Sequence, residues 1–320
     1  MITNPLLNEL APDPFMVYDE VTEYYYSLHS EYSQIAIYRS KKAGDILRQG
    51  EKKVVYVGNF DDKTEYNLWA PEMHKAPDGK WYIYSSAMVK CDDPWCPRLF
   101  VLGCDGDDPF GKWSYLGQPL PTKNALDPTI YTAKDGKQYA CYSLGHESLG
   151  QVLEIREMVN PYTFSDNSAV IANAEYDWEL VPPYDINWAI VEGAFFVENK
   201  GRLFIIYSAN GAWSDHYCLG LLEFKGGNLC DKNNWVKYDK PIFELANGVY
   251  APGHASFFRS PDKSEWWIAY HGVEKHNEEN VRVPRYMFIQ KFNFDETGFP
   301  ADNAPLGFGS KIPFPSGEKQ

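Results

Sequence analysis

Three acidic residues far apart in the chain, Asp13, Asp127 and Glu192, each open a short apolar strand that runs into a polar turn. Singly, each is an ordinary turn residue, and Asp-Pro recurs at Asp93–Pro94 and Asp108–Pro109. Their shared register gives them weight. Ionised carboxylates brought to one place repel one another and lose hydration, so a purely structural gathering of them costs free energy. Placed together, such groups can divide labour, one keeping its proton to donate it and another staying ionised to abstract one. His254 stands in the same register and could anchor a water or, through water, a cation, although a hard cation prefers oxygen donors. Arg285, in VRVPRYMF, could bind a hydroxyl or orient a carboxylate.

These residues can meet only if a repeat positions them. Aromatic strands recur as EYYYSLHS, KWYIYSSA, QYACYSLG, RLFIIYSA and EWWIAYHG. Each follows a polar turn, and a shorter apolar strand precedes each turn, which is a hairpin signature. Counted from Asp13, Ala70, Asp127, Glu192 and His254, the copies step by 57, 57, 65 and 62 residues. Two further strand-like runs follow each hairpin, the last of them PLGFGSKI. Four strands per unit and five units predict an all-β, five-bladed β-propeller, a single domain over residues 1–320. The first strand of each blade then lines the axis, so the copy starts, including the Ala70–Glu72 stretch, converge there.

Composition agrees. Aromatics make up 16% of the 320 residues, with 24 Gly and 22 Pro, which suits short strands and turns rather than a helix bundle. The net charge of −14 disfavours nucleic acid and anionic membrane surfaces as partners. No apolar run reaches the ~20 residues of a bilayer span. The start, MITNPLLNELAPD, has neither a basic region nor an apolar core, which predicts a cytoplasmic protein unless a leader has been removed. None of the six cysteines has metal-site spacing; most read as buried or free thiols, with Cys91–Cys96 spaced for a short-loop bridge.

A carboxyl trio on a neutral, aromatic-rich surface suggests glycoside hydrolysis, which needs one acid for the leaving oxygen and one carboxylate on the opposite face of the sugar. Trp69, Trp81, Trp188 and Trp213 could offer flat apolar faces; Trp81, inside a strand, reads as blade packing, and Trp69 and Trp188 as the better substrate platforms. Over nearly its full length the chain resembles family 43 of the glycoside hydrolases, through NPLLNELAPDPFMVYD, LWAPEMHKAPDGKWYIYSSA, LDPTIYTAKDGKQYACYS, VEGAFFVENKGRLFIIYSANGAWSDHYCLGLLEF and GVYAPGHASFFRSPDKSEWWIAYH. The resemblance implies Asp13 as general base, Glu192 as general acid, and Asp127 as the carboxylate that raises the pKa of the acid and orients it. It implies inversion at the anomeric carbon, with base and acid ~6.5–9.5 Å apart. No cofactor is implied for the chemistry, and His254 matches an axial histidine beside which a structural calcium or a water cluster can sit.

The run from Tyr176 through GHASFF looks most like the exo-acting α-L-arabinofuranosidases, with Ala255 where that branch carries Asn. Arabinose- or xylose-containing oligo- and polysaccharides are the implied partners. Endo-α-1,5-L-arabinanases and β-xylosidases share the trio and stand as alternatives. A phosphorylase would need a basic cluster that the copy starts lack. A sugar-binding propeller would have lost the acids, and all three are present.

Overall fold

The structure, a computed structural model, describes residues 1–58, 66–92, 95–181, 189–275 and 283–319. Strands pair antiparallel in chain order into blades around one axis, and the five-bladed all-β propeller is the observed fold. The inner strands are Phe15–Asp19, Tyr66–Lys75, Ala125–Thr132, Val191–Asn199 and Tyr250–Arg259. Turn chemistry makes the hairpins. In the second blade Asp78 accepts from the Lys80 N–H at 3.0 Å beside left-handed Gly79; in the third, Asp135 accepts from Lys137 at 3.1 Å beside Gly136.

The second strand of every blade carries a buried tyrosine: Tyr26, Tyr84, Tyr142, Tyr207 and Tyr270. Each ring removes about 150–250 Å² from water. Each hydroxyl also donates: to Thr22, the Pro161 carbonyl, Glu154, Glu179 and Gln290, respectively. Trp81 is buried and packs near Tyr26, the blade-packing role expected of it.

The last blade departs from the predicted strand list. PLGFGSKI is not its fourth strand; Lys311–Ile312 pairs instead with Ile2–Thr3. The free edge of Tyr286–Phe292 is taken by the N-terminal segment, Leu6 N–H donating to Met287 at 2.8 Å and Ala11 N–H to Arg285 at 3.0 Å. The Asn4 side chain brackets Ile289, donating to its carbonyl at 2.7 Å and accepting from its N–H at 3.1 Å. A ring of blades leaves one open edge where it begins and ends, and joining the first residues to the last blade removes it.

Further along the inner strands, the rings of Phe15, His74, Phe195 and Phe257 meet in tilted contacts with centroids 5.4–6.4 Å apart. Cys91 and Cys96 form a disulfide, and Cys104, Cys141, Cys218 and Cys230 are free and buried. Among the described residues no helix is long and apolar enough to cross a membrane.

Candidate active site

At the equivalent place near the mouth each blade has a left-handed residue: Asp13 (φ 56°), Ala70 (42°), Asp127 (54°), Gly193 (53°) and His254 (46°). In four blades the ladder slips at this point, between Trp69 and Glu72, Leu126 and Thr129, Glu192 and Phe195, and Gly253 and Ser256. Such bulges re-aim side chains, here toward the axis. Left-handed geometry costs a non-glycine residue about 1–3 kcal/mol, so four such residues in one ring represent strain concentrated at a site. Glu192 sits one residue ahead of the register assigned from the sequence. Gly193 holds the equivalent place, where a Cβ would stand 3.0 Å from the His254 ring. The counterpart of Glu192 in the second blade is Trp69.

Backbone pins run from blade to blade. Ser30 Oγ accepts from Ala70 N–H at 2.8 Å, Ser143 donates to the Val191 carbonyl at 2.8 Å, and Ser208 accepts from His254 N–H at 2.8 Å. Asp13 N–H donates to His271 Nδ1 at 3.2 Å. The Asp13 carboxylate accepts from Ser30 at 2.6 Å and from Arg285 at 2.8 Å, and its Oδ1 lies 3.4 Å from His254 Nδ1. Burial pushes the Asp13 pKa up, but Arg285, His254 and His271 outweigh it and hold the carboxyl well below the usual range. Asp13 is ionised.

Carboxyl oxygens of Asp127 and Glu192 and a ring nitrogen of His254 lie within 4.8 Å of one another, with His254 Nδ1 3.9 Å from Asp127 Oδ2. Thus the sequence-predicted trio does surround one imidazole. Burial raises the pKa of Glu192 to about 7, with Asp13 adding to the rise while the Tyr217 hydroxyl, donating at 2.9 Å, opposes it. Burial also raises Asp127 well above its ordinary value, assisted by Glu192, Asp13 and Glu72. Glu72 lies deeper in the channel and is held by His74 at 2.7 Å. Burial keeps His254 neutral. The arrangement places a carboxylate that a guanidinium favours ionised in one cluster with carboxyls that burial pushes toward holding their protons, the pairing that acid–base chemistry at one bond requires.

Arg285 faces the Asp13 carboxylate rather than solvent. Replacing it with Met is expected to raise the Asp13 pKa, because the cation that favours ionisation is gone. The acidic limb of the kcat/KM–pH profile should move upward; an unmoved limb would remove Arg285 from this role.

Trp69 is half-buried at the mouth, its ring centroid 5.7 Å from that of Trp95, which is 45% exposed beside disulfide-bonded Cys96. Trp188 lies outside the described residues, as does most of the EKHNEENVRV loop. Ala255 is buried in the core. Tyr217, His271, Ser30 and Trp95 escaped the sequence reading. His271 had a signal: the Tyr-Ser of the other four second strands reads Tyr-His in EWWIAYHG.

A propeller that converges an ionised and a protonated carboxyl beside an indole is the equipment of a glycoside hydrolase. The profile of Glycosyl hydrolases family 43 matches residues 2–300, and the chain belongs to that family. It is 34% identical to an extracellular exo-α-(1→5)-L-arabinofuranosidase of Streptomyces chartreusis, over 84% of this chain and 81% of that protein. A Streptomyces avermitilis protein of the same name is 31% identical over 96% of this chain, which spans only 64% of that relative. The crystal structure of an α-L-arabinofuranosidase from Lactobacillus brevis superposes with a TM-score of 0.86 at 27% identity, covering 97% of this chain and 98% of that one. The chemistry of the family needs no cofactor. Two relatives named as extracellular enzymes overturn the cytoplasmic location expected from the N-terminus, and the Cys91–Cys96 disulfide accords with an oxidising compartment.

Proposed function

We propose that the chain is an inverting, exo-acting α-L-arabinofuranosidase, one catalytic propeller over residues 1–320 that releases terminal α-L-arabinofuranose from arabinan or arabino-oligosaccharides. The observation that carries the chemistry is the gathering of Asp13, Asp127 and Glu192 around His254, with Arg285 on Asp13 alone. The names of the Streptomyces relatives support the sugar.

In this reading Asp13, ionised and aimed by Arg285 and Ser30, takes a proton from a water that attacks the anomeric carbon opposite the leaving group. Glu192 gives its proton to the departing glycosidic oxygen. The free sugar leaves with inverted configuration. Asp127, buried against Glu192, helps keep that proton in place, because two such neighbours resist ionising together. Trp69 supplies an apolar face for the ring, backed by Trp95.

A calcium ion at the axis would be held by the donors that gather there among the described residues, Asp127, Glu192 and His254, with water completing its oxygen shell. No step is routed through it.

The test is a panel of para-nitrophenyl α-L-arabinofuranoside, para-nitrophenyl β-D-xyloside and linear arabinan with product sizing. Arabinose as the sole product from arabinan is the expected result. A ladder of oligomers would replace this reading with the endo-acting one, and preference for the xyloside would replace it with a β-xylosidase.

A further inference from the structure

Glu192 and the Asp13 backbone are joined by a continuous path of contacts through two side chains to which the chemistry above gives no role. The Tyr217 hydroxyl donates to Glu192 Oε1 at 2.9 Å. The Tyr217 ring lies on His271, with centroids 5.5 Å apart and planes within 4° of parallel. His271 Nδ1 accepts the Asp13 N–H at 3.2 Å. Both rings are fully buried.

Two local choices make room for this stack. Gly253 lies against Tyr217, and a Cβ there would stand 2.5 Å from the tyrosine ring. In its own blade Gly253 holds the place that Glu192 holds in the preceding one, so the fifth blade gives up its side chain at the mouth to seat Tyr217. The second choice is His271 itself, which replaces the serine found at Ser27, Ser85, Ser143 and Ser208 in the same dipeptide. A serine can pin the next blade's backbone, as Ser143 and Ser208 do, but it has no ring to stack. With Nδ1 accepting, the ring proton sits on Nε2, which has no hydrogen-bond partner among the described residues. A buried donor left unpaired is costly, so hydrogen bonding at that atom is not what holds the imidazole here. The stack and the Asp13 bond are.

We propose that Tyr217 and His271 are positioning residues that together hold the acid Glu192 and the base Asp13 at a fixed separation. This rests on the roles given above to those two carboxyls. In an inverting reaction that separation decides whether a water fits between base and sugar. Most of the pocket is set by strands, but Glu192 and Asp13 stand on different blades. A rigid aromatic pair between them limits blade-to-blade movement in the coordinate that matters. The charged and titratable groups facing Glu192 are Asp13, Asp127, His254, Arg285 and Tyr217 itself. Burial and Glu192 keep the Tyr217 hydroxyl protonated, so it donates throughout the working range.

Two substitutions test this, Tyr217→Phe, which keeps the stack and removes the donor, and Gly253→Ala, which displaces the ring. The first readout needs no substrate: a carbon-13 NMR titration of the Glu192 carboxyl, its resonance assigned with Glu192→Gln. In Tyr217→Phe that carboxyl should titrate at higher pH than in the wild type, because its ionised form has lost a donor. The second readout is kinetic. In both variants kcat on an arabino-oligosaccharide should fall about tenfold, a fraction of what a positioned acid supplies, with KM little changed and a smaller loss on the para-nitrophenyl glycoside. A Glu192 titration unmoved by Tyr217→Phe, or equal losses on both substrates with an unchanged pH profile, would overturn the proposal and leave the pair as packing. Wild-type protein inactive on every arabinofuranoside would instead sink the proposed function, while the NMR titration still decides this inference.

Discussion

Replacing Glu192 with Gln is expected to lower kcat on an unactivated arabino-oligosaccharide by about 10²–10⁴-fold, the usual worth of a positioned proton donor. The loss on para-nitrophenyl α-L-arabinofuranoside should be smaller, because a nitrophenolate departs with little help. The amide keeps an oxygen for the Tyr217 hydroxyl, so circular dichroism and melting temperature should change little. The wild-type profile follows from the same assignment. Asp13 stays ionised to low pH, whereas Glu192 loses its proton near pH 7, so kcat/KM should be level on the acid side and fall above about pH 7. In Glu192→Gln that fall should vanish with the group that causes it. Near-normal turnover of the oligosaccharide by the variant would mean that another residue donates the proton.

The repeat made most of this architecture legible. Period-two aromatic strands after polar turns determine a hairpin locally, and five hairpins at similar spacing leave few ways to bury their tyrosines other than a ring of blades. That same repeat brought Asp13, Asp127 and His254 together on paper, and they meet in space. What it hid was finer than its period. A left-handed bulge near the strand start shifts the ladder in four blades, which is why Glu192 stands one residue before Gly193, the residue at the register position. The fourth place in the last blade is a ring-closure problem, and no local pattern in PLGFGSKI could show that Asn4 and Leu6 would take that edge. Tyr217 was beyond reach for a different reason. It comes from an irregular segment outside the strand repeat, and only the missing side chain of Gly253 explains its seat. Trp95 stands beside disulfide-bonded Cys96 and meets Trp69 through its ring, a contact with no periodic signature.

Asp13→Asn should be as damaging as the loss of the acid, but with a different signature. In a single displacement the base acts on the same water whatever group departs, so the oligosaccharide and the para-nitrophenyl glycoside should lose turnover alike, by about 10²–10⁴-fold. Structure should suffer too. Arg285 is largely buried against this carboxylate, and a neutral amide leaves its charge uncompensated, so the melting temperature should drop. Orienting the amide oxygen toward Arg285 turns its NH₂ toward Ser30, whose hydroxyl proton then loses its acceptor. Low activity alone could therefore reflect a disturbed site, and the decisive measurement is stereochemical. Proton NMR of the first product released by the wild-type enzyme should show β-L-arabinofuranose before mutarotation, since a water activated by Asp13 attacks from the face opposite the leaving group. Retained α configuration would make Asp13 a nucleophile toward the anomeric carbon. That chemistry requires the two carboxyls to approach within about 5–5.5 Å, and a spacing held open by the Tyr217–His271 stack would then have no mechanistic purpose.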